Sequence, residues 1–326
     1  MKIGSTELKH GVMLAPMAGY TDRAMRLICR EMGAEYTVTE MVSATAVVYN
    51  DKKTFSLARI LEDEGPVALQ IFGSDPAVMA EAARVLSSPS EGVAPVAIDI
   101  NMGCPVKKIF SNGEGSALMR SPALIEKIVK ATSLATPLPV TVKLRSGIDE
   151  KSINAIDCAL AAEEGGASAV CIHGRTRVQM YGGSADRKII ENVKKSIHIP
   201  LFANGDIVDA SSAVAMLRDT GADGIAIGRG AVGNPFIFSE ILAALENREY
   251  SEPSFEEKIE AALRQIRAAC EDKGEAVAIP EARKQIALYF RAFRGAAGAR
   301  ADINRATTLP EVEQILRTLL ASQNDA

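Results

Sequence analysis

Short apolar or β-branched runs recur through the first 245 residues, and a segment with helical periodicity follows each of them. The pattern predicts strands at Val12–Ala15, Tyr36–Thr39, Val67–Phe72, Ala97–Asn101, Val140–Leu144, Ala169–His173, Pro200–Ala203 and Gly224–Ile227. The intervening helices are expected near 22–32, 43–57, 75–87, 121–135, 152–164, 186–196, 209–220 and 235–245. Asp22, Ser43, Ser121, Ser152 and Asp209 stand where an N-cap would satisfy the first free N–H groups. The strand runs are continuously apolar rather than alternating, as parallel strands covered on both faces must be. Eight such units predict a (β/α)8 TIM barrel. An open doubly wound sheet has the same periodicity and is the structural rival.

The alternation stops at 245. Residues 246–254 (ENREYSEPS) are polar, contain a proline and read as a linker. From 255 to 326 the periodic segments, near 255–272, 280–294 and 310–322, are helical, which predicts a small all-α domain. Composition narrows the class further. Of 326 residues 47% are hydrophobic and 24% charged, which excludes a disordered chain. No apolar run is long enough to span a bilayer, and Met1–Gly11 has no signal-peptide core, so a cytoplasmic protein with no membrane partner is expected. Five scattered cysteines without a C-x-x-C pair fit free thiols in a reducing compartment, and three distant histidines argue against a metal centre.

Barrel chemistry sits at the carboxyl ends of strands. There the chain places Pro16-Met17-Ala18-Gly19, Gln70, Asn101-Met102-Gly103-Cys104-Pro105, Lys143 with Arg145, His173-Gly174-Arg175-Thr176-Arg177, Asn204-Gly205-Asp206 and Gly228-Arg229-Gly230. Any one of these reads equally as a loop; their recurrence at one end of seven strands indicates a catalytic mouth. Gly205, Gly228 and Gly230 allow backbone N–H groups to approach an anion, so the last two loops resemble a phosphate cradle to which Arg229 adds charge. Residues 228–233 also fit G-x-G-x-x-G, but a helix and then the linker follow where a dinucleotide site needs a strand. Cys104 lies in a turn beyond a buried strand. A thiol, mostly protonated at neutral pH, can act there as a general acid. Cys29, Cys158 and Cys270 fall within helices and Cys171 within a strand, where a small buried hydrophobe is the simpler reading. Lys143 interrupts an apolar strand and needs an electron-rich partner: an ion pair with Glu40 or Asp99, or a reduced cofactor. His173 is either a satisfied core residue or a hydrogen-bonding partner of that cofactor.

The tail carries a charge pattern of its own. Drawn as one helix over 280–294, with Arg283 at zero, Lys284 falls at about 100°, Arg291 at about 80° and Arg294 at about 20°, while Ile286, Tyr289, Phe290 and Phe293 fall between about 240° and 340°. Residues 283–305 hold six basic side chains and one acid in a chain whose net charge is −4. The stripe is either a solvated face or a groove for a polyanion such as RNA.

Taken together, these residues resemble the bacterial tRNA-dihydrouridine synthases, most closely the B-type subgroup. The resemblance spans nearly the whole chain and is carried by Ala15–Gly19, Asp99–Pro105, Val142–Arg145, His173–Arg177, Ala203–Ile207 and Ile227–Ala231, with Arg283-Lys284, Tyr289 and Gly295 in the tail. The chain departs from the family pattern at Arg187, Phe236 and Gln285, outside the proposed centre.

The resemblance implies non-covalent FMN, with Pro16, Met17, Ala18, Gln70, Lys143 and His173 around its ring system. Asn204, Gly205, Asp206, Gly228 and Arg229 would then hold its phosphate end. It implies hydride transfer from FMN to C6 of uracil and a proton from Cys104 to C5, with NADPH or NADH as reductant. Asn101 would help place the uracil. Arg145, Arg175, Arg177, Lys284 and Arg291 would be the remaining substrate contacts. The target base must leave its stack in tRNA to reach the mouth. The alternative is a small-molecule flavin oxidoreductase of the dihydroorotate or dihydropyrimidine dehydrogenase type, which has no use for a cationic tail.

Overall fold

The computed structural model describes residues 1–324. Its main sheet holds nine strands. One of them, Val42–Ser43, is a two-residue extension beside the third barrel strand. The others are β1 (Val12–Leu14), β2 (Tyr36–Val38), β3 (Val67–Phe72), β4 (Ala97–Met102), β5 (Val140–Arg145), β6 (Ala169–His173), β7 (Leu201–Asn204) and β8 (Gly224–Ile227). All pair in parallel with their neighbours, and β8 pairs with β1 through Ile225↔Val12, so the sheet is closed. That closure excludes the open doubly wound sheet: this is a TIM barrel followed by helices.

Alternation along the strands divides the core in two. Met13, Tyr36, Ala68, Ala97, Ala169, Cys171, Phe202 and Ala226 point inward and fill the barrel with small side chains packed around a few large ones. Leu14, Leu69, Ile98, Ile100, Val142, Leu144, Ile172 and Ile225 belong to the outer core shared with the helices. Below the strands the hairpin Lys2–Ile3/Thr6–Glu7 supplies Ile3 and Leu8 to the inner cluster and forms a floor. The barrel is therefore covered at its amino end.

Four of the five expected caps close their helices: Asp22 accepts from Met25 N–H, Ser43 from Ala46, Ser121 from Leu124 and Asp209 from Ser212. Ser152 does not. The helix begins at Ala155, and Ser152 instead closes a turn with Asp149, its hydroxyl donating to the carboxylate at 2.8 Å. The helix expected at 43–57 is two, Ala44–Val48 and Lys52–Ala58, separated at Asn50, whose φ is 57°.

The tail also differs from expectation. The single helix 280–294 is replaced by Glu275–Ile286, a run of turns, and a further helix, Ala296–Arg305, that begins after Gly295 at φ 82°. Phe255–Lys273 and Leu309–Asn324 agree with the pattern. Phe255–Lys273 packs on the first barrel helix, Arg23–Glu31, and Lys273 clamps the junction by donating to Asp22 at 2.7 Å and Glu281 at 2.8 Å. Gln265, Gln285 and Tyr289 form a buried polar knot there: Gln265 donates to Gln285 at 2.8 Å and accepts from the Tyr289 hydroxyl at 2.6 Å. Every member is paired, which is what makes a polar knot in a core tolerable.

Candidate active site

A cavity of about 1140 Å³ opens at the carboxyl ends of the strands. Its wall includes Pro16, Met17, Ala18, Gln70, Asn101, Cys104, Lys143, Arg145, His173, Asn204, Gly205, Asp206, Gly228 and Arg229. One side of the mouth belongs to the tail, through Lys258, Arg291 and Phe293.

Cys104 is held by the end of β4. Asn101 Oδ1 accepts from the backbone N–H of Gly103 at 3.2 Å and of Cys104 at 2.9 Å, an Asx-type turn that folds the chain back over the strand. The Cys104 carbonyl accepts from the Ser116 hydroxyl at 2.7 Å. Gly115 lets these segments meet: with φ 58°, a Cβ there would press on Cys104 Cβ at 3.0 Å. Arg145 braces the same loop, its Nε donating to Gly103 O at 2.8 Å and its Nη1 to the carbonyls of Thr176 and Met180. The half-buried thiol faces the cavity, and burial pushes its pKa above the usual thiol value. The raised pKa favours the protonated thiol.

Lys143 extends from β5 and donates to Asn204 Oδ1 at 3.0 Å. Among the described residues no carboxylate lies within ion-pair distance, so neither Glu40 nor Asp99 is its counter-ion. Glu40 is occupied elsewhere, accepting from the backbone N–H of Gly19. Asn204 is oriented by its other end, Nδ2 donating to Ala226 O at 2.7 Å. The cavity thus holds an ammonium with one neutral partner, and burial lowers its pKa.

His173 stands beside it. Burial, with Lys143, Arg145, Arg175 and Arg229 around it, holds the imidazole pKa down to about 2. The ring is neutral at any working pH. Arg175 Nη1 lies 3.4 Å from Nε2; a guanidinium only donates, which makes Nε2 the acceptor and leaves the proton on Nδ1.

At the far end of the cavity the chain turns through Gly205 (φ 126°) and Asp206 (φ 54°). A Cβ on Gly205 would sit 2.6 Å from Ala185 Cβ and 3.2 Å from the His173 ring, so the residue has to be glycine. Among the described residues the backbone N–H groups of Gly205, Gly228 and Arg229 form no hydrogen bond. The Asp206 carboxylate takes Arg175 at 2.7 Å and Ala185 N–H at 2.7 Å. Burial would raise its pKa, but these two donors hold it below the usual carboxylate value.

Two of the expected substrate arginines do not line the cavity. Arg175 is fully buried beneath the rim, where it donates to the carbonyls of Gly182 and Gly183 as well as to Asp206. Arg177 lies over the Phe110 ring, 3.8 Å from its centroid. Lys284 is also off the wall, its ammonium 4.3 Å above the centre of the Tyr20 ring. Arg291 is exposed at the rim.

Sequence reasoning missed several wall residues. Tyr20 continues the Pro16–Gly19 segment and was within reach of the strand-end argument. Tyr181 lies deep in the loop after β6, with Arg229 4.8 Å and Arg145 5.9 Å from its ring centre, and Tyr250 and Glu252 lie in the stretch read as a plain linker. No sequence signal marked those three. Among the described residues no group of three or more His, Cys, Asp or Glu side chains could hold a metal ion.

Comparison with known proteins puts this arrangement in context. Histamine dehydrogenase from Rhizobium sp. 4-9 superposes with a TM-score of 0.57 at 12% identity, over 82% of this chain and 50% of that one, which is a likeness of fold. A probable tRNA-dihydrouridine synthase of Rickettsia conorii is 40% identical over 306 residues, 93% of this chain and 91% of that protein. The tRNA-dihydrouridine synthase B of Pseudomonas putida is 40% identical over 306 residues, 93% of this chain and 89% of that protein. The sequence pattern described as "Dihydrouridine synthase (Dus)" matches residues 13–324. With the pattern matched from the first barrel strand into the last helix, the chain belongs to the dihydrouridine synthase family.

Proposed function

We propose that the protein is a cytoplasmic tRNA-dihydrouridine synthase that uses FMN, and NADPH or NADH as reductant, to reduce the C5=C6 bond of uridines in tRNA. Residues 1–245 form its FMN-binding catalytic domain, 246–254 the linker and 255–326 the tRNA-binding domain. The observation that carries the reading is that a protonated thiol and an ammonium without a carboxylate open onto one cavity.

The residues present fit the flavin. A partly desolvated ammonium needs a counter-charge, and Lys143 has one neutral bond within the protein. Pro16, Met17, Ala18, Gln70, Lys143 and His173 would surround the ring system. Asn204 and the free N–H groups of Gly205, Gly228 and Arg229 would take the phosphate end, with the Arg229 guanidinium beside them. Asp206 contributes through its backbone turn, since its carboxylate is already engaged by Arg175 and Ala185. When bound, FMN supplies the hydride that uracil accepts at C6.

The protein's own residues do the rest. Cys104 Sγ holds a proton and delivers it to C5 as that carbon becomes enolate-like. Neutral His173 donates through Nδ1 without adding charge to the site. Asn101 and Arg145, on the wall beside Cys104, orient the uracil. Arg175 and Arg177 act by bracing the loop after β6 rather than by touching substrate. Lys284 and Arg291 serve the tRNA backbone outside the mouth. The tail's share of the cavity wall favours a macromolecular substrate over a free pyrimidine.

The test is Cys104→Ala. The variant is expected to keep its flavin absorbance and its oxidation of NADPH, while single-turnover reduction of uridine in tRNA falls by about 10²–10⁴-fold, the usual worth of a general acid. Unimpaired dihydrouridine formation removes Cys104 from the mechanism. Colourless protein that reduces no uridine overturns the whole reading.

A further inference from the structure

Beneath the cavity runs a line of hydrogen bonds whose direction is fixed at both ends. It starts at Asp99 on β4, which is 5% exposed and does not line the cavity. Asp99 Oδ1 accepts from the Thr141 hydroxyl at 2.5 Å, and Oδ2 from Gln70 Nε2 at 2.6 Å. Gln70 Oε1 accepts from Asn101 Nδ2 at 2.9 Å. Asn101 Oδ1 accepts from the N–H groups of Gly103 and Cys104.

A carboxylate only accepts and a backbone N–H only donates. With an acceptor at one end and donors at the other, neither amide can turn over. A flipped Gln70 would set its carbonyl against the carboxylate, and a flipped Asn101 would set its NH₂ against two N–H groups. A buried carboxylate is costly, and an apolar side chain of similar size would fill the space with less penalty. Asp99 makes no ion pair among the described residues, Lys143 acting on it only from beyond that distance; its hydrogen bonds go to two neutral donors, and one of them leads to the turn that carries Cys104.

We propose that Asp99 is a positioning residue for the proton donor: through Gln70 and Asn101 it fixes the turn that presents Cys104 Sγ to the cavity. This rests on Cys104 being the donor, so the experiment separates the two ideas. If Cys104→Ala reduces uridine normally, the proposed function has failed at that step. If Cys104→Ala is inactive but the Asp99 variants behave as wild type, only the positioning role has failed.

Asp99→Leu removes the acceptor and releases Gln70. The variant is expected to retain flavin and to reach or exceed wild-type thermal stability. Its single-turnover uridine reduction is expected to fall by about 10–100-fold, with the KM for tRNA unchanged. Asp99→Asn, which still accepts from Gln70, is expected to recover most of that loss. A space-filling role gives the opposite order, because leucine packs at least as well. Wild-type turnover in folded Asp99→Leu, or equal loss in both variants, overturns the proposal.

Should Asp99→Leu fail to fold, the charge-conserving pair Asp99→Asn/Asn101→Asp reverses the bonds between positions 99 and 101 yet keeps an acceptor at the Cys104 N–H. Alkylation of Cys104 by iodoacetamide is expected to change in Asn101→Asp alone and to return to the wild-type rate in the pair. Absence of that recovery overturns the proposal.

Discussion

At the scale of single residues, the site is defined by two protonation states. The His173 imidazole, with its pKa held down to about 2, carries no charge between pH 5 and pH 8 and does not change across that interval. The Cys104 thiol, raised by burial, keeps its proton above the usual thiol range. The active form of a proton donor is the acid form, so activity is lost as pH rises through the thiol pKa and not as it falls. The pH profile of single-turnover uridine reduction is therefore expected to be flat from mildly acidic to neutral pH, without a histidine limb near 6.5, and to fall only on the alkaline side. A step near 6.5 that disappears in His173→Asn would contradict this assignment.

The same scale shows what a sequence can disclose. Lys143 was legible because an ammonium inside an apolar strand is anomalous wherever the strand lies. Arg175 and Arg177 were expected as substrate contacts, but the loop after β6 folds back and presents the carbonyls of Gly182 and Gly183 to Arg175, and Arg177 lies half-buried over the Phe110 ring. A strand-end position indicates which end of the barrel a residue occupies, and not whether a later loop covers it.

At the scale of elements, strand periodicity located all eight barrel strands, with no end off by more than one residue, because a parallel strand buried on both faces has few ways to vary. The tail was harder. Residues 280–294 have the apolar spacing of one amphipathic helix, yet the helix stops at Ile286. The reason is tertiary. The Tyr289 hydroxyl is drawn to Gln265 in the buried knot, and the backbone at Leu288–Tyr289 lies directly against Gly233 of the barrel. Periodicity of 3.6 describes side chains along an isolated helix and is silent about backbone contacts with another element. Gly233 is the element-level lever. Its φ is 70°, and a Cβ there would stand 2.8 Å from the Leu288 carbonyl carbon. Gly233→Ala is expected to cost about 1–3 kcal/mol, the range for a residue forced into a left-handed conformation against a close neighbour. The measurement is a shift in denaturant midpoint. An unchanged midpoint would mean that the tail is not seated on the barrel at this glycine.

At the scale of the whole molecule, net charge and local charge have opposite signs. The chain carries −4 overall, while the cavity wall sets five cations (Lys143, Arg145, Arg229, Lys258 and Arg291) against four acids (Asp206, Asp209, Glu240 and Glu252), and Lys284 lies nearby over Tyr20. With a small positive excess at the mouth of a net-negative chain, electrostatics favour a polyanion there over the rest of the surface. The cations also differ in depth. Lys143 and Arg145 are held within the wall by Asn204 and by backbone carbonyls, whereas Arg291 is exposed at the rim. Only the outer ones are available to a phosphate backbone that stays outside while one base enters. Charge reversal at Arg291 and Lys284 is therefore expected to weaken tRNA binding. It should also reduce the slope of log K against log salt by about 0.7–0.9 for each phosphate that is no longer neutralised, and leave flavin content and NADPH oxidation intact. Filter binding or fluorescence anisotropy across a salt series would measure it. A parallel loss of flavin would show that these two cations belong to the cavity's interior chemistry. An unchanged slope would assign them to plain solvent and leave the tail as a wall of the cavity without a hold on RNA.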